Sequence, residues 1–289
     1  MYGSGKRTHV YYPASLNELL HLYRRKPHAL IYAGGTYILK HSPDHRLSLP
    51  REVISIHEID ELQRISRSER HLEIGAAVPI GTILKIGTNI LPPLFFEALS
   101  SIGPPGIASL ATLGGNLCVS GPILTVFPVL NVLDARIELR RQGHSRWIPA
   151  SRFRDASGNP ATEPGEIVTR IRLPVETWNI QVFRKFGKLY QPDTDPLIFC
   201  GLAKTNKGIL DDFRVITSTS GPVPTRNREL EAELVGRKLP LNRRETGAFV
   251  KGMNATMDGG DTLYSPLQQH RALHLIRWFV NRLDETPNF

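Results

Sequence analysis

Cysteine is almost absent: the 289 residues include only Cys118 and Cys200. Two thiols cannot supply the four thiolates of an iron–sulfur cluster, and neither has the close His spacing of a structural zinc site. Both read as reduced packing residues of a cytoplasmic protein. Cys118 falls inside a glycine-rich stretch, where contact with a ligand is a second reading. There is no run of 18 apolar residues, so no membrane-spanning helix is expected. Met1-Tyr2-Gly3-Ser4-Gly5-Lys6-Arg7 lacks the apolar stretch of a signal peptide. Its Gly-Ser-Gly-Lys also lacks the earlier glycine and the preceding strand of a phosphate loop. No HExxH helix, Ser/His/Asp order or clustered carboxylate pair is present. The ten His are dispersed, so no metal site is expected. Asn254-Ala255-Thr256 is a glycosylation sequon without a secretory context.

Acidic residues are the scarcer charge: 36 Lys and Arg against 27 Asp and Glu leave +9. The basic residues are scattered, with short clusters at Arg24-Arg25-Lys26, Arg140-Arg141 and Arg243-Arg244. No basic stripe of a nucleic-acid-binding helix appears, so a solvated surface is the first reading and a subunit interface the second.

What is present is small-residue backbone placed beside apolar runs. Ala33-Gly34-Gly35-Thr36 follows the strand-like Leu30-Ile31-Tyr32. Ser109-Leu110-Ala111-Thr112-Leu113-Gly114-Gly115-Asn116-Leu117 precedes the apolar run Ile123 to Leu133. Glycine pairs allow positive φ and close approach of a ligand to the main chain. Successive N–H groups in such a turn make an anion-binding concavity. Each pair alone is also what an ordinary tight turn needs. Together they suggest one phosphate or diphosphate clamped from two sides by main chain.

The remaining pattern is mixed α and β. Strands are expected at 9–12, 29–32, 52–56 and 71–76, with a helix opened by the Ser15/Glu18 capping box and a helical turn at 59–62. Helices are expected at 79–84 and 94–99, and an apolar helix ends near Leu133-Asp134-Ala135. A hairpin spans 136–140 and 145–148, and Pro174 ends a strand from Ile167. Three further strands, 183–188, 197–204 and 213–218, are spaced for an antiparallel sheet. The last helix starts at Ser265-Pro266, with Gln268 completing a capping box, and runs to about Leu283. Leu267, Leu275, Ile276, Phe279 and Leu283 are its expected buried stripe.

The two glycine segments, with Ile74-Gly75-Ala76-Ala77 between them and Gly165-Glu166-Ile167-Val168 after them, resemble the FAD-binding (medium) subunit of molybdenum hydroxylases. These are enzymes of the xanthine dehydrogenase and carbon monoxide dehydrogenase type. The resemblance covers essentially the whole chain, and the second glycine segment is its most specific part. It implies an α+β fold: a two-lobed FAD-binding domain over 1–174 (lobes about 1–57 and 58–174), then a sheet-and-helix domain over 175–289. It implies FAD, held by Ala33, Gly34, Gly35, Thr36, Tyr37 and Ile38 on one side. Thr112, Gly114, Gly115 and Asn116 close the other side, with Thr125, Ile167 and Val168 nearby. Lys185 matches a lysine near the isoalloxazine ring; a surface strand lysine is the competing reading. Iron–sulfur and molybdopterin-binding partner chains are implied, and no nucleic acid or membrane.

Departures from the pattern are specific. Members commonly carry Asp where this chain has Tyr37. A Ser-Pro-x-x-Asp sequence commonly follows the second loop, where this chain has Gly121-Pro122-Ile123-Leu124-Thr125. One lost charged hydrogen bond is worth on the order of 1.5–3 kcal/mol. Gln191-Pro192-Asp193-Thr194-Asp195-Pro196 is longer and richer in proline than the usual connection beside the flavin. Two functions follow: an electron-passing FAD subunit, or a non-catalytic assembly subunit that has lost or weakened flavin binding. A basic binding protein is a third reading, for which no motif speaks.

Overall fold

The computed structural model describes residues 7–42, 49–187, 195–219, 221–259 and 264–283. The chain opens with β1 (His9–Tyr11), α1 (Leu16–Arg25), β2 (Leu30–Tyr32), α2 (Thr36–Lys40) and β3 (Glu52–Ser55). Its strands form a parallel sheet in the order β1-β3-β2. Ser15 Oγ accepts from the Glu18 N–H at 3.2 Å, while the Glu18 carboxylate accepts from Ala14, one residue before the cap, at 2.8 Å. The expected capping box is therefore shifted by one residue at its return bond. Leu16, Leu19 and Leu20 of α1 pack on Ile54 and Ile56. The same core takes in Ile59, Leu62, Ala77 and Ile167 from later in the chain. A lobe of this size buries only a marginal apolar surface by itself, and it leans on its neighbour.

The second lobe runs α3 (Asp60–Gln63), β4 (Ile65–Arg67), β5 (His71–Gly75), α4 (Ile80–Leu84), α5 (Pro93–Ser100), α6 (Pro105–Ala108), α7 (Leu113–Leu117), α8 (Val126–Val132), β6 (Arg136–Arg141), β7 (His144–Pro149) and β8 (Ile167–Pro174). Its sheet is antiparallel, in the order β4-β5-β8-β6-β7. Alternation along the strands sorts its two faces. Ile74, Ile137, Leu139 and Ile171 meet the helices, while Glu73, Glu138, Arg170 and Arg172 pair on the other face beside Trp147. β4 was not expected from the sequence. It is three residues long and mostly exposed, so it has almost no apolar signal.

The C-terminal part contains β9 (Ile180–Phe186), β10 (Leu197–Asn206), β11 (Ile209–Ser218), α9 (Arg228–Leu234), α10 (Arg243–Asp258) and α11 (Pro266–Asn281). The three strands are antiparallel in the order β11-β10-β9. The chain changes sheet between Pro174 and Ile180, but the core does not divide there. Ile198, Cys200 and Leu202 of β10 join the second lobe's core, while Leu197, Phe199 and Ala203 pack against α10 and α11. The α11 capping box is present, with Ser265 Oγ accepting from the Gln268 N–H at 3.2 Å. Leu267 departs from the expected stripe and is 44% exposed. Gln268 takes the buried place in that turn, its amide donating to the Pro196 carbonyl at 2.8 Å.

A polar network ties α8 to the C-terminal part. Asp134 ends α8 in the left-handed region, at φ 51°. Its carboxylate pairs with Arg214 at 3.0 Å, with Arg226 at 3.1 Å, and with Arg228. Arg226 also forks onto Glu231 at 3.0 Å, and both side chains are nearly fully buried. Removing one partner of a buried pair strands the other charge and destabilises by about 3–5 kcal/mol. Arg226→Met is therefore expected to lower the unfolding free energy by that order, read from urea titration followed by circular dichroism.

Candidate functional site

The two glycine segments, far apart in sequence, meet in space. A Cβ on Gly34 would lie 1.7 Å from the Leu110 carbonyl oxygen and 3.2 Å from Ala111 N. Only a residue without a side chain lets these backbones touch. Gly35 then turns into α2 with φ 65°. The main-chain N–H groups of Gly34, Gly35, Thr36, Tyr37 and Ile38 have no acceptor among the described residues. The segment is only half buried. A run of N–H donors through a left-handed then right-handed turn is a nest for an anion.

The second segment differs from its expected form. Gly114 and Gly115 are not in a positive-φ turn; they lie in the short helix α7. Thr112 caps that helix, its Oγ1 accepting from Gly115 N at 3.1 Å. Gly114 is there for space, since a Cβ would stand 2.7 Å from the Ala76 carbonyl oxygen. The donors of this segment serve the fold: Leu113 N bonds Val78, Gly114 N bonds Ala76 and Asn116 N bonds the Thr112 carbonyl. Ser109, Leu110 and Gly115 are its exposed residues; Asn116 is half-buried, and its Oδ1 accepts from Val126 N at 3.2 Å and so caps α8.

From there the contacts lead to Lys185. Thr125, the residue before α8, is buried, and its Oγ1 accepts from Lys185 Nζ at 3.1 Å. The lysine also donates to the Ser101 carbonyl at 2.9 Å. Both partners are neutral, and no carboxylate pairs with Lys185 among the described residues. Burial pushes its ammonium down to about 8. Ile167 and Val168 sit at the start of β8; Ile167 joins the first lobe's core and Val168 the second's. Neighbouring Glu166 is committed elsewhere, gripped by Arg146 at 2.7 and 2.8 Å and by Glu163 N at 2.7 Å. Tyr37 stacks on His41 with ring centroids 4.0 Å apart, and burial raises its hydroxyl pKa.

Sequence reading missed Ser101 and Arg154. Arg154 lies beneath the second segment and donates to four of its surrounding carbonyls. An isolated arginine in Ser-Arg-Phe-Arg-Asp has no distinguishing signal. Cys118 is unpaired and exposed. Most of the proline-rich connection after Tyr190 lies outside the described residues. Among the described residues no group of three His, Cys, Asp and Glu is placed to hold a metal, and no helix is long and apolar enough to cross a membrane.

The profile of the family described as the FAD binding domain in molybdopterin dehydrogenase matches residues 6–176. The chain belongs to that family. FAD as cofactor and membership of an oxidoreductase follow from it. The chain is 27% identical over 235 residues to the xanthine dehydrogenase FAD-binding subunit of Escherichia coli O157:H7, covering 79% of each chain. It is 29% identical over 249 residues to the nicotinate dehydrogenase FAD-subunit of Eubacterium barkeri, covering 81% of each. In fold it matches carbon monoxide dehydrogenase from Hydrogenophaga pseudoflava, with TM-score 0.79 and 19% identity over 97% of this chain and 96% of that one.

The depressed lysine carries a pH signature. The unfolded chain binds the Lys185 proton up to the ordinary value near 10.5, the folded chain only up to about 8. Between those values the unfolded state holds more protons, so stability rises with pH. The wild type is expected to gain stability relative to Lys185→Met from pH 8 to 10, read by thermal unfolding at each pH; a pH-independent difference contradicts this.

Proposed function

We propose that this chain binds FAD against its paired glycine segments and passes electrons between an iron–sulfur partner and an acceptor such as NAD or oxygen. A molybdopterin-binding chain completes the assembly. The observation that carries the reading is the run of five unpartnered N–H groups from Gly34 to Ile38, pressed against the second segment by the Gly34–Leu110 contact. A diphosphate is the group this donor set fits, since it needs acceptor-rich oxygens and no protein carboxylate competes there.

In this reading Ala33 to Ile38 hold the diphosphate through main chain. Thr112, Gly114, Gly115 and Asn116 form the facing wall, and Ile167 and Val168 line the seam between the lobes. Bound FAD supplies the redox chemistry, and the protein orients and tunes it. Lys185 is the tuning residue: a cation with only neutral partners stabilises the negative charge that a flavin gains on reduction. Thr125 holds that ammonium in place where relatives commonly carry an acid. The unpaired cysteines agree with a reducing, cytoplasmic setting.

Tyr37 and Thr125 motivate the second reading, an assembly subunit with little or no flavin. Absorption spectra and FAD titration of the purified chain separate the two. Saturable binding at micromolar FAD or tighter is expected. Gly34→Val is expected to weaken binding at least tenfold while the chain stays folded by circular dichroism, because its side chain would displace Leu110. Lys185→Met is expected to bind FAD and to lower its reduction potential, measured by dye-coupled titration. A wild type with no flavin bands and no binding leaves the assembly role.

A further inference from the structure

Among the described residues most half-buried cations pair with a carboxylate, and a few, Arg140 and Arg271 among them, do not. Arg146, Arg170, Arg214 and Arg226 each pair with a carboxylate at 2.7–3.0 Å. Arg154 and Lys185 do not. Arg154 donates to the carbonyls of Leu117 at 3.2 Å, Val119 at 2.6 Å, Gly121 at 3.3 Å and Gly158 at 2.5 Å. Its guanidinium also lies 5.3 Å from the Phe127 ring centroid. Its Nε is buried with no hydrogen-bond partner. The nearest carboxylate in sequence, Asp155, accepts from Ser157 N at 2.9 Å and Asn159 N at 2.8 Å, and it makes no ion pair with Arg154. The charge of Arg154 acts on Tyr37, beside the first glycine segment, and on Cys118, just after the second. It also acts on neighbouring Asp155, and its hydrogen bonds fix it beside residues 117–121.

A buried cation whose hydrogen bonds all go to carbonyls, with Asp155 acting on it only through space, is disfavoured unless an anion completes it. The glycine segments themselves carry no charged side chain. We infer that Arg154 is the charge-bearing positioning residue of the diphosphate site. It straps residues 117–121 beneath the second segment and supplies the fixed positive charge that the main-chain donors lack. This rests on the FAD reading above and adds a residue outside both glycine segments. The ligand class is a dianionic diphosphate, and the action is electrostatic rather than a contact.

The test is FAD affinity, measured by flavin fluorescence in wild type, Arg154→Gln and Arg154→Lys, with the melting temperature of each unliganded chain as a check on the strap. Loss of the charge in Arg154→Gln is expected to weaken FAD about tenfold or more. Arg154→Lys is expected to recover most of that loss near pH 7. It is then expected to lose affinity beyond the wild type as pH rises to 10, because a buried lysine gives up its proton where an arginine does not. This pH divergence decides the matter even if the Gln variant does not fold. Unchanged binding in Arg154→Gln overturns the inference and leaves the FAD reading intact. So does an Arg154→Lys profile parallel to the wild type. A wild type that binds no FAD removes both.

Discussion

The main chain of Gly34 occupies space that any side chain would contest with the Leu110 carbonyl, and the architecture of the site depends on that contact. It brings a loop of the small parallel sheet against a loop of the large antiparallel lobe, with nothing but backbone between them. The nest at residues 34–38 then begins against the Leu110–Ala111 backbone, just before α7. Backbone contact of this kind is rigid, because peptides have no rotamers to relax into. A methyl group would be enough to break it, so the two lobes are registered by the absence of atoms.

Around that contact the protein distributes its charges unevenly. Carboxylates are spent on the frame: Glu166 on Arg146, Glu138 on Arg170, and Asp134 and Glu231 on the arginines that lock α8 to the C-terminal part. Arg154 and Lys185 instead have neutral oxygens for hydrogen-bond partners. A folded protein holds such unanswered charge at a free-energy cost, and functional sites are where that cost is usually found. The net basic balance of the chain has little to do with this; what matters is that among the described residues no carboxylate makes an ion pair with either cation.

The departures from the family pattern gain meaning from their surroundings. Thr125 is buried, and its hydroxyl accepts from Lys185. An aspartate there would neutralise the lysine; the threonine holds it charged at neutral pH, with a pKa only slightly above that pH. Tyr37 is stacked on His41 and half buried, so it packs where an acid would extend. Both substitutions make the site more positive.

The sequence by itself determined the type of most longer elements and the identity of the two glycine segments, but not the short helices α2, α6 and α7. Their signals are local: apolar periodicity, capping pairs such as Ser265 with Gln268, and glycine pairs beside apolar runs. Short exposed β4 and the outward Leu267 escaped because their positions are set by neighbours, not by their own pattern. Only the tertiary structure decided why each glycine is needed. Gly35 uses its left-handed freedom, whereas Gly34 and Gly114 make room for carbonyls of residues distant in the chain. Nor could sequence show that the core runs on past Pro174, that the second segment's N–H groups are already used, or that Arg154 bonds the carbonyls just after the second segment. Those facts depend on which distant atoms come within a few ångströms, and periodicity along one chain carries no record of that.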